Sequence, residues 1–404
     1  MHLLLIHQVF VSPGEAGGTR HFELARHWVK SGHQFTIVAS DLNYLTGKPV
    51  AKGQIKEQLF EGIRVLRAKT YPALHRSFTW RVISFVSFMF SSFWAALRAG
   101  PVDVVMATSP PIFQAVSAWI VSAIRRRPLL LEIRDLWPEF AIDMGVLTNL
   151  TLIRLSQSLE KFFYNRATHI LVNSPAYRVY LLNKGILDCK ISVIPNGVDP
   201  AMFNPLNRGE MVRTQFKLDG NYVVTYAGAL GIANDIPTIL RAANLLRHSK
   251  EIHFLLVGDG KERLNLEQMG RDLQLPNVTF AGALPKGEIP DVLAASDVCL
   301  ATLQNIPMFK TVFPNKVFDY MAAGRPTILG IDGVIREVIE NAKGGIFIEP
   351  GNEKALADAV MKLKNDPELS RQMGKAARDH VVKHYNRHLQ AEDFRILVQR
   401  FRRP

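Results

Sequence analysis

Apolar residues in this chain fall into two alternating rhythms. Short β-type runs (LLLI from Leu3, FTIVA from Phe35, VDVVMA from Val102, PLLLEI from Pro128, HILV from His169) are separated by stretches with helical spacing. The second half repeats the logic with YVVTYAG from Tyr222, HFLLVGDG from His253, VTFAG from Val278, DVCLA from Asp297 and PTILG from Pro326. Strands alternating with helices predict an α/β fold of parallel sheets covered on both faces. Thr19 to Lys30 reads as the first helix, with Thr19 placed to cap it and Gly32 to end it in the left-handed conformation. Both rhythms break at IPNGVDPAMF, Ile194 to Phe203, which places a hinge near residues 195–205 between two doubly wound domains. The expected division is 1–198, joined by a returning C-terminal helix over 386–404, and 199–385. The last helices are expected at roughly 354–383 and 388–402.

A length of 404 residues suits two domains at roughly 100–200 residues each. Hydrophobic content of 48% with 21% charged residues is that of a globular protein. Cys189 and Cys299 are apolar-flanked and far apart, so both read as buried thiols in a reducing compartment. The twelve histidines form no HxH pair, and although His380, His384 and His388 recur at HxxxH spacing, no protein-built metal site is expected. MHLLLIHQVF lacks a basic n-region and a cleavage site, so it reads as a first strand.

The net charge of +13 implies a negatively charged partner: nucleic acid, an anionic membrane or phosphorylated substrates. Basic residues group at Arg125-Arg126-Arg127, around His75, Arg76 and Arg81, and at Arg400, Arg402 and Arg403. They are not interleaved with aromatics and no nucleic-acid motif is present, so nucleic acid is not the expected partner. Phe78 to Leu97, FTWRVISFVSFMFSSFWAAL, is apolar nearly all round. Its uninterrupted part, Val82 to Leu97, spans 16 residues, short of the ~20 a membrane-crossing helix needs. It reads either as a helix packed on a sheet or as one lying in the bilayer interface, with basic ends against lipid phosphates. Peripheral association is expected; spanning is not.

Candidate chemistry concentrates in FPNKVFDYMAAGRP, Phe313 to Pro326. A loop precedes a helix from Lys316 to Ala323 that stops at Gly324. Helix N-termini present unpaired amides and partial positive charge, which suit a phosphate. Lys316 in the first turn and Asp319 one turn on are spaced to hold a nucleotide diphosphate by phosphate and ribose; an ordinary capped helix with an i, i+3 pair reads equally well. The loop SPGEAGGTRHFELA offers Gly17 and Gly18 for close backbone approach, but matches neither dinucleotide nor P-loop patterns. VGDGKERL is either a base pocket or a tight βα turn. EIRDLWPEF gathers Arg134, Asp135 and Glu139 at a strand end, where a carboxylate would orient or deprotonate an acceptor hydroxyl, or where the three form a structural network.

Together these segments resemble glycosyltransferase family 4, whose signature runs E-x7-E-A-M-A-x-G-x-P-V. Asp319-Tyr320-Met321-Ala322-Ala323-Gly324-Arg325-Pro326 matches its second half, and IPNGVD, VGDG and the early GG loop match in order. The resemblance implies a GT-B fold, two Rossmann-like domains facing a central cleft, and a retaining, metal-independent transferase that uses a UDP-sugar donor and no cofactor. SPP at Ser109 to Pro111, RDLWPE at Arg134 to Glu139 and PNKVFDYMAAGRP look like the branch of the WbuB-type N-acetyl-L-fucosamine transferases of bacterial surface-polysaccharide assembly. That implies an N-acetylated amino-sugar donor, a lipid-diphosphate-linked glycan acceptor in O-antigen, capsule or exopolysaccharide assembly, and a cytoplasmic protein at the inner face of the membrane. Residue by residue, Gly17, Gly18, Gly228, Gly258, Gly260, Asn315, Lys316 and Asp319 would bind the donor. Arg20, Arg134 and Asp135 would meet the acceptor, with Asp135, Glu139 and Lys316 catalytic. Two departures stand out: Thr311 replaces the first signature glutamate, and GALGIANDIP (Gly228 to Pro237) lacks the family's Arg and Lys, which leaves Lys316 as the expected phosphate cation. A nucleotide-sugar epimerase of the same type and a non-catalytic scaffold subunit remain as alternatives.

Overall fold

The apolar runs become the strands of two sheets. The structure, a computed structural model, describes all residues except 13, 16, 44–46, 48, 51–56, 74–77, 403 and 404, and the side chains of Phe78 and Thr79 also lie outside the described set. His75, Arg76 and Arg403 of the basic groups are therefore outside the described residues. The chain divides into one unit of residues 1–12, 19–195 and 388–404 and a second of 13–18 and 196–387.

The first unit holds β1 (His2–Ile6), β2 (Gln34–Ser40), β3 (Glu57–Phe60), β4 (Ile63–Ala68), β5 (Val104–Ser109), β6 (Leu129–Ile133), β7 (His169–Val172) and β8 (Ile191–Val193). Their order is β3-β4-β2-β1-β5-β6-β7-β8, parallel except for the β3–β4 hairpin. That hairpin was not expected: Arg64 and Arg67 interrupt IRVLRA, so β4 makes no apolar run. Arg67 is nevertheless buried, donating to Gln58 Oε1 at 2.8 Å and the Ser40 carbonyl at 3.1 Å.

Alternation along each strand divides the core into two layers. Leu3, Leu5, Ile37 and Met106 pack with Trp28 of the helix Arg20–Lys30 and with Phe394 and Leu397 of the helix Arg387–Gln399. Right-handed crossovers put the helices Phe78–Leu97, Phe113–Arg125, Leu150–Arg166 and Pro175–Asn183 on the other face. Gly32, at φ +80°, closes the first helix as its sequence predicts. Thr19 does not cap it with its side chain; the hydroxyl donates to Glu23 Oε1 instead.

The second unit holds β9 (Tyr222–Ala227), β10 (Ile252–Val257), β11 (Val278–Gly282), β12 (Val298–Thr302), β13 (Thr327–Gly330) and β14 (Gly345–Phe347), all parallel, in the order β11-β10-β9-β12-β13-β14. Val224, Phe254, Leu300 and Ile328 form its core with Leu240 and Leu356 from flanking helices. The single helix expected over 354–383 is two, Glu353–Asn365 and Pro367–His384. Pro367 cannot continue a helix, and the Asp366 carboxylate caps the new one by accepting from the Leu369 amide at 2.9 Å.

In both sheets the opening strand lies inside, and the chain adds strands on one side before moving to the other. The switch falls between β1 and β5 and between β9 and β12. Ligands of open α/β sheets gather outside the carboxyl ends of strands at such points.

Candidate functional site

The switch point of the second unit is where Lys316 reaches. The helix Asn315–Ala322 begins after Pro314, so the Asn315 and Lys316 amides have no earlier helical carbonyl to pair with. Lys316 Nζ donates to the Tyr226 hydroxyl at 2.7 Å and to Asn234 Oδ1 at 2.9 Å, and lies 4.2 Å from the centroid of the Tyr226 ring. All these partners are neutral, and among the described residues no carboxylate pairs with it. Burial pushes this ammonium down to about 7. Part of the side chain still reaches solvent, so the penalty is milder than for a sealed charge.

Gly228 makes room for that ammonium: a Cβ there would lie 2.9 Å from Lys316 Nζ and 3.0 Å from the Tyr226 hydroxyl. Gly258 has another reason to be glycine. At φ +146°, its Cβ would fall 1.8 Å from the Gly228 carbonyl oxygen. A Cβ on Gly260 would meet the Leu230 carbonyl oxygen at 2.5 Å. The VGDG turn is thus packed tightly against the loop after β9 and shapes that loop from behind. Gly17 adopts φ +137°, and a Cβ on Gly18 would lie 3.5 Å from Asn315 Nδ2.

Asp319, one turn beyond Lys316, is held by Lys286, with Nζ 2.6 Å from Oδ2 and both side chains largely buried. The sequence reading did not single out Lys286, which sits 33 residues earlier in an unremarkable LPKGE turn. The hinge motif IPNGVD also braces this site: Asn196 is buried and donates to the Phe313 carbonyl at 2.7 Å, fixing the loop that opens the Lys316 helix. Thr311 lies in a short turn, its hydroxyl donating to the Met308 carbonyl at 2.6 Å.

The switch point of the first unit carries a polar cluster. His7, just past β1, has Nδ1 2.8 Å from Thr108 Oγ1 and Nε2 3.3 Å from Arg134 Nη1. Because Arg134 can only donate, His7 accepts at Nε2 and donates from Nδ1. Burial, with His21 and Arg134 nearby, lowers its pKa well below 6.5 and keeps it neutral. Asp135 is exposed at its surface yet ringed by protein, which pushes its carboxyl up to about 6 against the pull of Arg134 and a hydrogen bond from Tyr177. A carboxylate titrating near neutrality at a strand end is suited to orienting a hydroxyl.

Three expectations need correction here. Arg20 is not free to meet acceptor phosphates: it is 4% exposed, with Nε 2.9 Å from Glu132 Oε1, Nη1 donating to the Pro195 carbonyl and Nη2 to the Ile194 carbonyl, each at 2.8 Å. Glu132, fully buried in β6, needed that cation. His21 Nε2 lies 2.5 Å from its other oxygen, and burial keeps that imidazole below 6.5, so Arg20 is the standing charge partner. Burial opposes the Glu132 charge, but these neighbours hold its pKa far below the ordinary range. Glu139 does not join Asp135; it pairs with Lys184 at 3.0 Å, in a cluster with buried Glu160 and the Tyr180 hydroxyl. Cys189 is exposed, in the turn Asp188–Lys190, whereas Cys299 is buried as expected. A glutamate inside the run LLLEI was the signal that the histidine–arginine cluster left in the sequence, since a fully buried carboxylate requires partners.

Among the described residues no group of three His, Cys, Asp or Glu side chains is placed to hold a metal ion. Residues 16–197 match the family described as a glycosyl transferase 4-like domain, and residues 208–380 match glycosyl transferases group 1. The chain is 26% identical over 331 residues to a probable glycosyltransferase, WbjE, of Pseudomonas aeruginosa, covering 78% of each chain. It is 21% identical over 373 residues to the putative colanic acid biosynthesis glycosyl transferase WcaI of Escherichia coli, covering 88% of this chain and 91% of the relative. Its fold matches that of Anabaena HepE in complex with UDP-glucose with a TM-score of 0.74 at 19% identity, over 99% of this chain and all of the other.

Proposed function

Because the chain belongs to the group 1 glycosyltransferases with a GT-B fold, we propose that it moves a sugar from a UDP-sugar to a lipid-diphosphate-linked glycan, with retention at the anomeric carbon. The observation that carries this reading is Lys316, an ammonium at a helix start with only neutral oxygens around it. Such a cation is ready for an anion, and a departing diphosphate supplies one. As the C1–O bond to UDP breaks, negative charge grows on the β-phosphate. Lys316 and the Asn315 and Lys316 amides stabilise it; a unit charge pair at ~4 Å contributes on the order of 4 kcal/mol at an effective dielectric of 20. Asp319, steadied by Lys286, meets the ribose hydroxyls. Gly258 and Gly260 border the base. Asp135 orients the acceptor hydroxyl as its oxygen bonds to C1, and the released proton leaves on the phosphate.

UDP as the nucleotide draws support from the UDP-glucose complex of HepE, and a role in polysaccharide assembly from WcaI, named for colanic acid biosynthesis. The branch motifs SPP, RDLWPE and PNKVFDYMAAGRP favour an N-acetylated amino sugar. A lipid-linked acceptor places the protein at the inner face of the cytoplasmic membrane. The test is UDP release from a panel of UDP-hexoses and UDP-N-acetylhexosamines, with and without a lipid-diphosphate acceptor. Acceptor-dependent release is expected. Release without acceptor would point to the epimerase, and failure to bind any UDP-sugar to a scaffold.

A further inference from the structure

Four helices cover one face of the first sheet: Phe78–Leu97, Phe113–Arg125, Leu150–Arg166 and Pro175–Asn183. They form a continuous layer. The Ser92 and Ser117 hydroxyls meet at 3.2 Å between the first two, the Trp119 and Phe162 rings lie 5.1 Å apart between the second and third, and Tyr180 reaches Glu160 between the last two. In the first helix the stripe Ser84, Phe88, Ser92 and Ala96 is wholly buried. The helix is long and apolar enough to cross a membrane, but this inward stripe seats it in the layer instead.

The outer side of the layer is unusual in two independent respects. Large apolar side chains stand in solvent: Phe90 at 62% exposure, Trp94 at 63% and Leu150 at 70%, with Ile124, Leu155 and Val179 also exposed. Scattered singly these would need no explanation, but a whole layer of them does. The second respect is charge. The four helices contain a single carboxylate, Glu160, which is buried and bonded to Lys184 and Tyr164. Against it stand Arg81, Arg98, Arg126, Arg154, Lys161 and Arg166, all exposed, and none in an ion pair among the described residues. The acids that border the layer in sequence are Asp103, Glu139, Asp143 and Asp188; Asp103 lies 4.0 Å from Arg127, Glu139 is paired with Lys184 at 3.0 Å and Asp188 with Arg178 at 2.6 Å.

We infer that this four-helix layer is a docking surface for an anionic lipid bilayer, with the aromatic and aliphatic side chains entering the headgroup region and the arginines meeting lipid phosphates. Apolar groups and unpaired cations on one face are what an interfacial surface requires. A second copy of the chain would bring the same cations against these, and a nucleic acid would leave the apolar side chains unserved. The surface extends the lipid-linked acceptor reading to a part of the fold, and it rests on that reading only for its purpose, not for its evidence of charge and exposure.

The full chain should co-sediment with vesicles of phosphatidylcholine and phosphatidylglycerol in equal parts, and weakly or not at all with phosphatidylcholine alone. The variant Phe90→Ser, Trp94→Ser, Leu155→Ser changes exposed positions and should lose about tenfold or more of that partitioning, with its circular dichroism and UDP binding unchanged. Arg126→Ser with Arg154→Ser should weaken binding and flatten its salt dependence. No association with anionic vesicles, or an apolar variant that binds as well as the parent, overturns the inference. So does a dimer in solution that the apolar variant dissociates, since a second copy then covers the face. Vesicle binding is read without sugars, and UDP release is read with a detergent-dispersed acceptor, so the two readings fail separately.

Discussion

A lysine ammonium held at about 7 by burial makes nucleotide binding a proton-linked event. In the unliganded protein Lys316 is half protonated at pH 7 and about 3% protonated at pH 8.5. A bound diphosphate restores the charged form towards its ordinary value, so the protein must take up a proton to bind. Between pH 7 and 8.5 the dissociation constant of UDP should rise about 16-fold, or about 1.6 kcal/mol, as the ready fraction falls. Uptake should be about half a proton at pH 7 and nearly one at pH 8.5. Titration calorimetry of UDP in buffers of different ionisation enthalpy reads that number directly. Lys316→Gln should bind UDP more weakly at pH 7 and show no pH slope over this window. A parent protein whose UDP affinity and buffer dependence are flat from pH 7 to 8.5, or a Gln variant that keeps the slope, would refute the reasoning. The same sign governs stability without ligand. Between the folded and unfolded pKa values the unfolded chain binds more protons, so stability should rise from pH 7 towards 10.

Gly228→Ala should leave the melting temperature within a few degrees, because the colliding Lys316 terminus can swing aside, yet weaken UDP binding about tenfold or more; unchanged affinity would show that Lys316 need not sit beside Tyr226. Gly258→Ala, by contrast, faces an immovable carbonyl at positive φ and should lose about 3 kcal/mol or more in urea unfolding. Asp135→Asn should lower kcat for acceptor-dependent UDP release and remove an acid limb near pH 6 from the kcat profile, since the group is deprotonated only above that pH. Glu132→Gln strands Arg20 and should cost about 3–5 kcal/mol of stability at pH 7; the parent should lose the same contribution as pH falls below the ordinary carboxylate range.

The strand–helix rhythm made the two sheets legible, because buried parallel strands are continuous apolar runs. It missed β3, β4, β8 and β14 for the converse reason: β3, β8 and β14 are short edge strands, and β4 carries the charges of Arg64 and Arg67. Lys316 was legible as well, since a cation in the first turn of a helix is a local pattern. Its environment was not. Tyr226 and Asn234 come from a different strand and loop, and Lys286 reaches Asp319 from a turn that carries no signal of its own. Arg20 and Glu139 were assigned to chemistry because a charge at a strand or helix end looks the same whether it faces solvent or a buried partner. Only the three-dimensional neighbours, Glu132 for one and Lys184 for the other, distinguish the cases.

The niche beside Tyr226 is a single-occupancy space. The loop after β9 gives it up by beginning with Gly228, and the helix fills it with Lys316. A cation carried on that loop and a lysine on that helix would be rival tenants, so the absence of Arg and Lys from GALGIANDIP and the presence of Lys316 are one arrangement rather than a loss and a separate gain. The two positions should therefore vary together among related chains. An engineer who wished to restore a loop cation would first have to evict the lysine.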